Sequence, residues 1–220
     1  MPRAGAAAPS RRPSGGETMT TYPIDLPTTP AFKTLRYTPR SIVSVSRSPF
    51  TGSQQVYVHP GAWWEAEALL PPMGRAAADA WNAALLSLNG AQGTFRLIDP
   101  VGKTPRGSVG GTPVISGGPT TGNLITISGW PASQPVLAAG DWLQIAGVPG
   151  LYKSVTGATS SGGGVASTTI WPALRGSAAN GSAITTASCF GIFRLTADWQ
   201  MQWDEGQLQM TLSFKCAEVV

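Results

Sequence analysis

Residues 190–219 read FGIFRLTADWQMQWDEGQLQMTLSFKCAEV. Phe190–Leu195 reads as one strand. Trp199, Met201 and Trp203 then alternate with Asp198, Gln200 and Gln202. After Asp204-Glu205-Gly206, Leu208, Met210, Leu212, Phe214 and Cys216 alternate with Gln207, Gln209, Thr211, Ser213 and Lys215. Successive side chains of a strand point to opposite faces, so a period of two describes a strand with one apolar and one polar face. The polar, glycine-containing turn makes the two halves a β-hairpin. Its apolar face must be covered by another part of the chain.

The first half of the sequence supplies that cover. Residues 20–40 contain Pro23, Pro27, Pro30 and Pro39 and read as an extended arm rather than a helix. Strands are expected from Ser41, with Ile42, Val43 and Val45 apolar, and over Gln55–His59. Ser48-Pro49-Phe50-Thr51-Gly52 is the turn between them, and Pro60-Gly61 is expected to end the second. In the next strand Trp64, Ala66, Ala68 and Leu70 share one face, and Glu65 and Glu67 the other. From Arg75 to Leu88 the period changes. Ala77, Ala80, Trp81, Ala84, Leu85 and Leu88 form one helical stripe, and Asn89-Gly90 stops it. Gly93–Ile98 returns to strand.

Composition shifts after Arg106. Residues 107–187 hold one acid, Asp141, and two bases, Lys153 and Arg175, among Gly, Ser, Thr, Ala and Val. Strands are expected at Leu124–Ile127, Trp142–Ile145, Leu151–Thr156 and Ser167–Trp171. The fold class is therefore mainly β. A β-sandwich-like domain with one helix (41–106 and 188–220) is interrupted by a small all-β, barrel-like domain (107–187). Residues 1–18, rich in Ala, Pro, Gly, Ser and Arg, are expected to be disordered, with 19–40 as the Pro-rich arm.

Charge and cysteine content narrow the functional classes. Only 12% of the residues are charged and the net charge is +4. Arg3, Arg11 and Arg12 against Glu17 account for two of those charges, which leaves no basic face for nucleic acid. So sparse a charge suits a protein packed against neighbours better than a free monomer. No apolar run is long enough to span a membrane, and the N-terminus has no apolar stretch of a secretory signal. Cys189 and Cys216 are read as buried thiols, a bridge between them being the alternative.

Catalytic readings find little to build on. His59 is the one histidine, too few for a histidine metal site. Gly102-Lys103-Thr104 resembles the end of a phosphate-binding loop, but Leu97 stands where that loop needs glycine and Pro105 interrupts the helix that should follow. Glu65 and Glu67 could form a carboxylate pair for glycoside hydrolysis, though a solvated strand face explains them more simply. No cofactor is expected. Trp130, Trp142, Tyr152 and Trp171 are the residues of the insertion that could stack on a carbohydrate or receptor. Their other reading is the core of a domain with little else large to bury.

Several segments, taken in order, resemble tail-tip proteins of long-tailed bacteriophages. They are SRSPFTGSQQVYVHPGAWWEAEALLPPM (46–73), LSLNGAQGTFRLIDPVGKTPRG (86–107), VLAAGDWLQIAGVPGLYKSV (136–155), TTIWPALRG (168–176) and residues 190–219. The likeness is to the distal tail protein family of siphovirus-type phages, or a closely related minor tail-tip protein. It implies a homo-oligomeric ring, usually a hexamer, joining the tail tube to the tail-tip hub or fibre in the virion. It also implies synthesis in the cytoplasm of the host bacterium and no catalytic residues. A carbohydrate- or receptor-binding module of the tail tip is the alternative function.

Overall fold

The computed structural model describes residues 21–108 and 110–220. The extension expected to be disordered at 1–18 lies outside the described residues. The first half contributes β1 (Ile24–Asp25), β2 (Thr34–Arg47), β3 (Gln54–Leu69), helix α1 (Arg75–Ser87) and β4 (Phe95–Ile98). The middle contributes β5 (Val114–Ile115), β6 (Leu124–Ser128), β7 (Pro135–Leu137), β8 (Trp142–Ile145), β9 (Val148–Ser154), β10 (Ala158–Thr159), β11 (Ala166–Trp171) and β12 (Ile184–Thr185). The end contributes β13 (Phe190–Leu195), β14 (Gln200–Asp204) and β15 (Gln209–Glu218).

Both ends of the chain build one sheet in the order β1-β4-β13-β15-β3-β2, with β14 also paired to β15. Only β1 and β4 run parallel within it. The C-terminal hairpin forms, but only its β15 half is covered: Met210, Leu212, Phe214 and Cys216 are buried, while Met201 and Trp203 on β14 and Leu208 in the turn are exposed. Met201 faces Leu212 and Trp203 faces Met210 across β14 and β15. Asp204 Oδ1 accepts the Gly206 and Gln207 amides and closes the turn. Trp64, Ala66, Ala68 and Leu70 lie beside Phe214 and Cys216 of the neighbouring β15 and share one buried core with Ala78, Trp81, Leu85 and Leu88 of the helical region.

The helix has a glycine N-cap without a side-chain bond and no acid in its first turn. Its own ends hold it weakly, and burial of Trp81, which meets Phe32 at 5.5 Å between ring centroids, holds it instead. Asn89 and Gly90 both take positive φ, and the Gly93 amide returns to the Leu88 carbonyl to end the helix.

Two expectations for the first half are corrected. The arm expected over 19–40 is, from residue 21 onward, part of its own domain: β2 begins at Thr34, not Ser41, and Phe32 packs on Trp81 and Phe214. Nor does Pro60-Gly61 end a strand. β3 runs through it, because Ser41 pairs with Ala62 and Val43 with Val58, so His59, Pro60 and Gly61 bulge opposite Ile42. A bulge frees the backbone from the ladder, which is where proline's missing N–H is tolerated.

The middle of the chain forms a six-stranded sheet, β12-β8-β9-β11-β6-β5, with β7 and β10 as a separate pair. The sheet nearly closes. Val114 bridges Ala183, and the Ile115 and Ile184 amides reach the Ser182 and Pro113 carbonyls, each at 2.9 Å. The resulting barrel-like body has its own core of Ile115, Ile125, Ile127, Leu143, Tyr152 and Ile170, among others. Asp141, its one acid, is buried and accepts the Arg106, Gly107 and Ala138 amides at 2.9–3.2 Å, which pins the point where the chain enters the barrel.

Candidate functional site

β2 and β3 outrun the sheet they belong to. β15 pairs with β3 only from Glu65 to Leu69, whereas β2 and β3 pair with each other out to Arg47 and Gln54. Beyond the bulge they form a free-standing hairpin closed at Ser48–Ser53. The Ser53 carbonyl accepts the Ser48 amide at 2.8 Å, and Gly52 supplies the required positive φ of 71°.

The two faces of this hairpin differ. Val43 lies opposite Val58 and Val45 opposite Val56, while Ser44 lies opposite Tyr57 and Ser46 opposite Gln55. The valines keep the phase of Leu35 and Tyr37 on β2 and of Trp64 and Ala66 on β3, all of which turn toward the core. The apolar face of the sheet thus continues past its own core into solvent. Val45 is 59% exposed, Val58 75% and Phe50, at the tip, 96%. An apolar hairpin of this length with open edges is a liability unless something covers it. The sequence already marked these residues as strand. Which of them the fold would leave uncovered depends on where β15 stops.

A second constellation joins the barrel to the sheet. The Glu218 carboxylate, on the last strand, is fully buried. It accepts the Leu151 amide at 2.7 Å, the Trp64 amide at 3.2 Å and the Arg175 guanidinium at 2.5 Å. Arg175 also donates to the Ala62 carbonyl, and the Trp64 indole donates to the Leu151 carbonyl at 2.9 Å. A buried carboxylate is tolerable only with such a full set of donors. Nothing in the spacing of Glu218 and Arg175 along the chain pointed to the pair.

The four aromatic residues considered for ligand stacking are differently placed. Trp130 and Tyr152 lie in the barrel core. Trp142 belongs to the core of the outer sheet, donates its indole N–H to Asp99 at 2.9 Å and carries Lys153 over its ring. These three are buried and offer no face to a ligand. Trp171 is half-buried edge-on against Trp64, beside a shallow cleft of about 320 Å³ that includes Pro39 and Lys153.

The remaining candidates sit in ordinary surroundings. Glu65 pairs with Arg40 at 2.9 Å, and Glu67 lies between Arg36 and Lys215 at 3.9 and 3.7 Å, on the exposed face of the sheet. His59 is exposed in the bulge. Gly102 lies against the Trp142 indole with no room for a Cβ, and Lys103 accepts the Ser188 amide through its carbonyl. The loop is therefore shaped by packing. Cys189 and Cys216 are free and buried, and burial pushes each thiol up to about 12. Among the described residues no group of three or more His, Cys, Asp or Glu could hold a metal ion, and no helix is long and apolar enough to cross a membrane.

Compared with known proteins, the chain matches no family model and no curated protein.

Proposed function

We propose that this chain is a non-enzymatic structural subunit of a phage tail tip, a distal tail protein that assembles into a homo-oligomeric ring between the tail tube and the hub or fibre. The observation that carries the reading is the uncovered apolar face of the β2–β3 hairpin, a continuation of the core face on which nothing in the described residues rests. A surface of that kind on a chain with 12% charged residues is suited to a neighbour rather than to water. The ordered sequence likeness of segments between residues 46 and 219 to distal tail proteins supports the choice of assembly, and the hexamer and the virion location are proposed on that likeness. The carbohydrate-binding alternative loses its main support, since Trp130, Trp142 and Tyr152 are committed to cores.

The test is the mass of the purified full chain by light scattering across a concentration series, followed by negative-stain imaging. A ring of defined copy number, found also in purified virions, is the expected result. A chain that stays single-copy at high concentration and is absent from virus particles refutes the reading.

A further inference from the structure

The two edges of the outer sheet are unlike. At one edge the β2–β3 hairpin projects, with Phe50 almost wholly exposed at its tip. At the other, beside β1 and β4, lies a groove of about 360 Å³ lined by Leu26, Pro30, Phe32, Trp81, Leu97 and Pro100, among others. Hairpin and groove are both apolar, and they stand at opposite edges of the same sheet.

We propose that Phe50 of one copy seats in this groove on the next copy, with Val43, Val45, Val56 and Val58 closing over the β1 edge. The inference rests on the ring reading above and names the contact that would build the ring. Its size falls at the low end for a specific interface. At their exposures the four valines and Phe50 leave on the order of 600 Å² open, against roughly 800 Å² contributed by each partner to a stable interface of standard size. A few large side chains that fill a pocket on the partner carry most of the binding energy of an interface, and Phe50 at the hairpin tip is the large side chain free to do so. From Ser41 to Gly61 the one full charge is Arg47; the groove's charged lining is Asp25 and Arg96, which pair with each other, and Lys103. A contact that uses two different surfaces links copies head to tail, and such contacts close into rings when the rotation permits.

Paired cysteines test the contact in the full chain. Thr51 adjoins Phe50 in the turn, and Thr28 lines the groove; both are exposed. The native Cys189 and Cys216 are buried, so oxidation is confined to the new pair. Thr51→Cys with Thr28→Cys is expected to give a ladder of disulfide-linked species beyond two copies, and Thr51→Cys alone none. Phe50→Ser, which takes nothing from this chain's own core, is expected to raise the concentration needed for assembly at least about tenfold. Rings by imaging with no cross-linking of the double variant would overturn this contact and leave the ring reading standing. So would a ladder that stops at two, or cross-linking by Thr51→Cys alone. A wild-type chain that never associates would overturn both.

Discussion

Glu218→Ala should loosen the barrel from the outer sheet. The substitution removes the acceptor of two buried amides, Leu151 and Trp64, and strands the Arg175 guanidinium, whose side chain is only 9% exposed. Removing one partner of a buried ion pair costs about 3–5 kcal/mol, because the surviving charge keeps its desolvation penalty and loses its compensation. For a chain of this size each kcal/mol lowers Tm by roughly 2–4 °C, so a fall of about 6–20 °C is expected. Urea unfolding at low protein concentration measures the same loss without interference from assembly. Hydrogen exchange localises it, since the Leu151 and Trp64 amides should lose protection while the Leu143 amide, within the barrel, is less affected. The double variant Glu218→Met, Arg175→Met separates charge from packing. It removes the stranded guanidinium charge but leaves the Leu151 and Trp64 amides without their acceptor, so it should recover only the part of the loss that the unpaired charge causes. A Glu218→Ala protein within about 1 kcal/mol of wild type, or a double variant no better than the single, would refute this account of the junction.

Other perturbations read the same structure differently. Trp81→Ala should cost about 3–5 kcal/mol by urea unfolding, since it opens the core between helix and sheet. Glu65→Gln with Glu67→Gln should change stability by less than about 1 kcal/mol, because both carboxylates face solvent and their ion pairs are screened. Both cysteines should resist a thiol reagent in the native protein and react only once it is unfolded. Their thiols titrate near 12 when folded and lower when unfolded. The unfolded chain therefore releases protons first, and the thiol contribution to stability is complete below about pH 8.5 and declines as pH rises toward 12. Alkaline unfolding of a Cys189→Ala, Cys216→Ala variant should show a shallower decline over that window.

Local periodicity is legible wherever one face of an element is buried. The alternation of Trp64, Ala66, Ala68 and Leu70, the stripe around Trp81 and the alternation of Met210, Leu212, Phe214 and Cys216 each identify their element and its inner face, because burial imposes the period on the residues themselves; β14 alternates as well, yet Met201 and Trp203 stay exposed. Composition alone separates the middle of the chain from its ends. Its two- and three-residue strands, β5, β7, β10 and β12, escape notice because segments so short carry no period.

What the amino-acid order determined, then, is the mainly β class, the helix, the inner face of the longer strands and a chain whose ends close around an insertion. Only the tertiary structure decided that β2 reaches back to Thr34 and that β3 passes through Pro60-Gly61, since both depend on a cross-strand partner that absorbs the bulge. It also decided that Glu218 and Arg175 meet, and that four valines and Phe50 lie beyond the last strand able to cover them. Periodicity is a property of neighbours along the chain. Pairing partners and uncovered faces are set by contacts between segments far apart in sequence, and no local pattern records those.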